Sequence, residues 1–83
     1  MQSDQRKSMD LTDRITIDPA VLAGKPIIRG TRIPVDLVLE QLGLGWSVDD
    51  IIAGYPHLER EDILACIQYA KSVVESEQVY PVR

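Results

Sequence analysis

Phenylalanine is absent from this 83-residue chain, and one tryptophan and three tyrosines bring the aromatics to only 5%. A core must therefore be built from Ile, Leu, Val and Ala. Hydrophobic residues still make up 45% of the chain, which suits a folded domain rather than a disordered one. A single cysteine, Cys66, excludes an intramolecular disulfide and any multi-cysteine metal site. With only one histidine, His57, the chain also lacks the residues of a structural zinc site. No apolar run approaches the ~20 residues of a membrane span. The opening MQSDQRKSMD has no apolar stretch and does not read as a secretory signal, so the expected location is the cytoplasm. The length allows one domain of modest stability.

Charge is uneven. The net value is −4, yet residues 19–35 carry Lys25, Arg29 and Arg32 with no acid among them. The acids concentrate after residue 35. An acidic total argues against strong non-specific nucleic-acid binding, which rests on phosphate neutralisation. The basic segment keeps a local version of that binding open.

Residues 1–13 are polar and aperiodic and read as an arm. A single domain is expected over residues 14–76, with a tail over 77–83 in which Val79 and Tyr80 are candidate docking residues. Arg14 to Asp18 alternates as a short strand. Asp18-Pro19 then begins a single helical turn through Leu22, which Gly24 ends. Lys25 to Pro34 reads as a β-hairpin. Gly30 stands at the first central position of its turn, beside Thr31, and Pro26 and Pro34 mark edges.

Three helices follow. Val35, Val38, Leu39 and Leu42 fall on one helical face, and Gly43 and Gly45 stop that helix. Ser47 caps the second helix, and Asp50 completes a capping box. Trp46 has the spacing to staple onto Ile51, and Pro56 ends the helix near Tyr55. Leu58 and Ile63 repeat the staple spacing at the start of the third helix, near Glu59. Ile63, Cys66, Ile67, Ala70, Val73 and Val74 form one apolar stripe running to about Glu75. Ile67, mid-stripe, is expected in the core. The fold class is thus mainly α: a three-helix bundle with a short N-terminal strand and a hairpin.

No arrangement for catalysis emerges. His57 lies in a loop, and Cys66 on an apolar stripe behaves as a small hydrophobe. Gly24-Lys25 lacks the rest of a phosphate-binding loop. Asp49, Asp50, Glu61 and Asp62 fit the first turns of helices, where the helix dipole favours acids. No cofactor or metal site and no enzymatic activity are expected. Lys25, Arg29 and Arg32 are the candidate contacts for DNA or a protein partner, with Gly30 and Thr31 shaping the turn between them; as solvated residues at a sheet edge they fit equally well. Residues 47–75 have helix-turn-helix spacing. The end that would meet bases reads Glu59-Arg60-Glu61-Asp62, three acids against one base, and is repelled by phosphates.

Residues 24–35, GKPIIRGTRIPV, resemble the small bacterial proteins of the domain of unknown function 433 family. The resemblance extends from Ile15 to Ala70 through Trp46-Ser47-Val48-Asp49-Asp50-Ile51-Ile52, Tyr55-Pro56 and Asp62-Ile63. It implies a homeodomain-like three-helix fold and a VapB-type antitoxin role in a type II pair, with a toxin resembling PIN-domain ribonucleases. Many relatives carry Cys where this chain has Leu22, so no thiol role is carried over to that position. Two readings follow: an antitoxin that binds its toxin and its own promoter DNA, and a protein-interaction or dimerisation module with no DNA contact. A homodimer is expected in either.

Overall fold

The structure is a computed structural model and describes residues 11–76. Residues 1–10 of the arm expected over 1–13, and the tail over 77–83, lie outside the described residues. Among the described residues the fold is mainly helical, with three helices and a short two-stranded antiparallel sheet. In the order of the described residues these are a 3-10 helix (Leu11–Arg14), strand β1 (Ile15–Ile17), a loop, strand β2 (Pro26–Ile28), and helices α1 (Val35–Gly43), α2 (Val48–Gly54) and α3 (Arg60–Ser76).

The strands pair Ile15 with Ile28, Thr16 with Ile27 and Ile17 with Pro26. This corrects the expected hairpin over Lys25–Pro34. Its second arm contributes only an isolated Ile27–Pro34 bridge and a bond from Ile28 N to Ile33 O. That arm has three residues before Pro34, which lacks an N–H, and α1 starts directly after it. β1 supplies the fuller partner.

The turn itself forms one residue out of the expected phase. Thr31 N donates to Ile28 O at 3.0 Å, so Arg29 and Gly30 are its central residues. Gly30 takes the second central position with φ +79°, as a type II turn requires.

The loop between the strands also departs from expectation. Asp18 Oδ1 accepts from Ala20 N and Asp18 O from Val21 N. Leu22, Ala23 and Gly24 then all have positive φ, at 52°, 57° and 81°. The right-handed turn expected through Leu22 is thus left-handed from that residue on. Left-handed backbone costs an L-residue about 1–2 kcal/mol, so Leu22 and Ala23 are held there by the loop around them.

The helices begin and end where the local chemistry directs. Asp50 N donates to Ser47 Oγ at 3.0 Å and Ser47 N to Asp50 Oδ2 at 2.9 Å, closing the capping box of α2. The Ser47 backbone N–H, and then the Ser47 side chain, hold the Asp50 carboxyl below its ordinary pKa. Gly45, with φ +99°, turns the chain after α1. Trp46 differs from expectation: Ile51 is fully buried, whereas Trp46 is exposed and borders a surface hollow with Leu44, Asp50 and Ala53. Leu58 and Ile63, the second staple pair, are both buried.

One core joins all elements: Ile15 and Ile28 from the sheet, Val35 and Val38 from α1, Ile51 from α2, Leu58, and Ile63, Ala65 and Cys66 from α3. Ile67 is not part of it, being 43% exposed. The buried face of α3 is rotated toward Asp62, Ala65 and Tyr69, because the N-terminal 3-10 helix packs along that side. Leu11 packs against the core there, and its N–H bonds Gln68 Oε1 at 3.2 Å. Leu11 is thus held against α3.

Candidate partner-binding site

The turn after β2 is fixed by Thr31, whose hydroxyl donates to Ile28 O at 2.7 Å and accepts from Ile33 N at 3.0 Å. The three cations around this turn have different commitments. Lys25 Nζ lies 2.9 Å from Asp36 Oδ2, an exposed ion pair of the kind that contributes little to stability. Arg29 Nε donates to Asp13 O at 2.7 Å, and its backbone N donates to Arg14 O at 2.7 Å, tying the turn to the N-terminal 3-10 helix. Arg32 is exposed and has no hydrogen bond or ion pair among the described residues. The structure thus keeps the three cations on one segment and leaves Arg32 the most available.

A second charged cluster sits at the start of α3. Arg14 Nη1 is 2.8 Å from Glu59 Oε1 and 3.0 Å from Asp62 Oδ1. The hydrogen bonds that Arg14 donates to Glu59, and then to Asp62, raise its pKa above the ordinary value. Asp62 is buried, and its other oxygen accepts from Glu59 N at 2.8 Å, capping the helix. Asp62 is better explained as a cap and ion-pair partner than as a ligand for anything outside. Its partner lies 48 residues away in sequence, so periodicity gave no sign of the pairing.

Among the described residues no cluster of three or more His, Cys, Asp or Glu side chains is placed to hold a metal ion. His57 is exposed in the loop before α3. Cys66 is fully buried, and desolvation, with a smaller contribution from the Asp62 charge, pushes its thiol up to about 12. It is therefore a thiol and not a thiolate at neutral pH.

The feature the sequence did not disclose is an apolar cleft of about 250 Å³ between β2, α1 and the C-terminal half of α3. Pro26, Val35, Leu39, Ala70, Val73 and Val74 line it, and the Lys25–Asp36 pair stands at its rim. Val74 is 62% exposed. The signal was present in the six-residue stripe on α3, which is longer than the opposing elements can cover.

Fold and surface together define a small, mainly helical domain with a two-stranded sheet and an open apolar cleft. Residues 15–70 match the family described as Protein of unknown function (DUF433), and the chain belongs to that family. A crystal structure of a DUF433 member protein from Anabaena variabilis superimposes with a TM-score of 0.72 at 35% identity, covering 78% of this chain and 64% of that one. An uncharacterized protein of Sinorhizobium fredii, y4eO, is 36% identical over 58 residues; these are 70% of this chain and 26% of the relative. An uncharacterized protein of Archaeoglobus fulgidus is 58% identical over 24 residues, 29% of this chain and 67% of that protein. The chain thus spans about a quarter of the rhizobial relative's length. Among the described residues no helix is long and apolar enough to cross a membrane.

Proposed function

We propose that this chain is the antitoxin of a type II toxin–antitoxin pair and that it holds a PIN-like ribonuclease by protein–protein contact. The observation that carries the reading is the cleft between β2, α1 and α3. A small domain that leaves Val73 and Val74 uncovered beside Leu39 and Pro26 has a surface suited to an apolar anchor of a partner. Lys25 at the rim and Arg32 on the neighbouring turn suit an acidic border around that anchor.

Promoter DNA is the second partner in this reading. In favour are the succession of α2, a short Pro-containing turn and α3, which has helix-turn-helix spacing, and the exposed cations on the turn. Against a simple docking of α3 stand Glu59, Glu61 and Asp62 at its start, with Arg14 already paired to two of them. The protein contact is therefore placed first, and DNA contact through the turn second. The alternative of an interaction module with no DNA contact differs only in this second step.

The test is co-expression with the product of the neighbouring gene, which this reading requires to be a PIN-like ribonuclease, followed by size-exclusion chromatography and a nuclease assay. A stable complex with suppressed nuclease activity is expected, and Val74→Lys should release the nuclease. Arg32→Ala should weaken binding and flatten its salt dependence. For DNA, loss of one phosphate contact changes the slope of log affinity against log salt by about one. A wild-type chain that neither binds nor inhibits the ribonuclease defeats the antitoxin reading.

A further inference from the structure

The loop-side edge of the sheet points to a second interface, independent of the antitoxin reading. In β1 the peptide groups alternate in direction. Arg29 N donates to Arg14 O, whereas Ile28 N turns away from β1 to Ile33 O. Arg14 and Thr16 therefore face β2, and Ile15 and Ile17 turn their peptide groups to the opposite edge. The Ile15 carbonyl and both peptide groups of Ile17 have no backbone partner there among the described residues. Natural edges are commonly blunted by Lys, Pro or a bulge, and Ile15-Thr16-Ile17 has none of these. Ile17 is 56% exposed. Beside this edge lies a hollow of about 580 Å³ lined by Thr12, Ile15, Ile17, Tyr69 and Ser72.

We infer that β1 pairs antiparallel with β1 of a second copy of this chain, about a twofold axis at Thr16. This register uses the free groups of both copies: each Ile17 N–H donates to the Ile15 carbonyl of the other copy. Ile15 and Ile17 lie on the same face of the strand, so each Ile17 enters the hollow beside the other copy's Ile15 and Tyr69. The flanking charges do not oppose this register. Arg14, which already holds Glu59 and Asp62, falls opposite Asp18 of the second copy at both ends, so unlike charges face each other there. Shifting the register by two residues places Pro19, which lacks an N–H, or the 3-10 helix at Asp13 in the ladder. The two sheets then join into four strands across an isologous interface.

Light scattering and disulfide trapping test this on the full chain. The wild type should have twice the 9.3 kDa chain mass at micromolar concentration. Thr16→Cys is the register-specific probe. In this pairing the two Thr16 residues form a non-hydrogen-bonded pair with Cα atoms about 4.5 Å apart, within disulfide range. Under mild oxidation Thr16→Cys should cross-link nearly completely, while Ala53→Cys on the exposed side of α2 should not. Cys66 is buried and does not compete. Ile17→Lys should weaken the dimer by roughly tenfold or more with an unchanged circular dichroism spectrum, whereas Val74→Lys in the other cleft should leave it intact. A wild type that stays monomeric up to about 100 μM, far weaker than a specific dimer, overturns the inference. So does a dimer that fails to cross-link at Thr16→Cys, or one broken by Val74→Lys and not by Ile17→Lys. None of these outcomes depends on whether the ribonuclease binds.

Discussion

The first half of α3 buries Ile63, Ala65 and Cys66 completely, together with Asp62, while the second half leaves Val73 and Val74 in solvent. Both halves carry apolar residues at helical spacing, so composition does not separate them. What differs is the layer opposite. The N-terminal 3-10 helix, α1, α2 and β1 all pack against α3. α2 is only seven residues long, however, and α3 has seventeen. A long helix on a short support has one end committed to the core and one end available to a partner. The comparison makes stability and binding separable along a single helix.

The largest effect should come from the buried half. Ile63→Ala removes a fully buried side chain and should cost roughly 2–4 kcal/mol, enough to unfold much of so small a domain. Ile67→Ala, one turn later and 43% exposed, should cost less than about 1 kcal/mol. Urea midpoints measure both. Equal losses would mean that the core extends along the whole stripe and that the two halves do not differ.

Asp62→Ala should come next, at roughly 1–3 kcal/mol, because it leaves the Glu59 N–H without its cap and Arg14 without its buried partner. A double-mutant cycle with Arg14→Ala tests the cause. If the two losses simply add, the Arg14–Asp62 contact contributes nothing and capping alone explains Asp62.

The helices and the capping box were legible in the sequence because their signals are local: Ser47 and Asp50 are three residues apart, and Gly45 and Pro56 act on adjacent backbone. The strand pairing was legible in part. β1 was identified by its alternation, but β2 found its partner across the loop at 18–25 and not across the turn at Gly30, and no local rule ranks those two choices. The exposure of Ile67 was hidden for a related reason. Periodicity identifies a stripe but cannot say that a 3-10 helix at Leu11–Arg14 will claim the side of α3 bearing Asp62 and Tyr69. For the candidate site, the cationic segment was visible. Its commitments, Lys25 to Asp36 and Arg29 to Asp13, depend on tertiary placement, and so does the cleft.

Thiol chemistry offers a finer comparison with little change in stability. Burial holds the Cys66 pKa raised, to about 12. A raised thiol pKa in the folded state means that the unfolded chain gives up its proton first, so stability is undiminished below the unfolded value and declines as pH rises toward the folded one. Native Cys66 should therefore react with a thiol reagent at neutral pH only through opening of the core. In Cys66→Ala, a reporter at Glu75→Cys on the exposed half should react at close to the rate of a free thiol. Fast reaction at Cys66 would show that the first half of α3 opens as readily as the second.

The smallest effect on stability is expected at Val74→Lys. The side chain is 62% exposed, so its loss from the cleft removes little that the monomer has buried, and a lysine stem can lie along the same surface with its ammonium in water. The change in folding free energy should stay within about 0.5 kcal/mol. For a partner seated in the cleft the same substitution is severe, because the ammonium would have to be desolvated among Pro26, Leu39, Ala70 and Val73. The two halves of α3 thus predict opposite signatures: Ile63→Ala lowers the urea midpoint, whereas Val74→Lys leaves it in place and abolishes capture of the proposed partner. Val74→Ala keeps the surface apolar and should fall between wild type and lysine in affinity at equal stability. If Val74→Lys instead unfolds the domain, the second half of α3 is core, the cleft closes in solution, and the proposed partner contact moves to Arg32 and its turn.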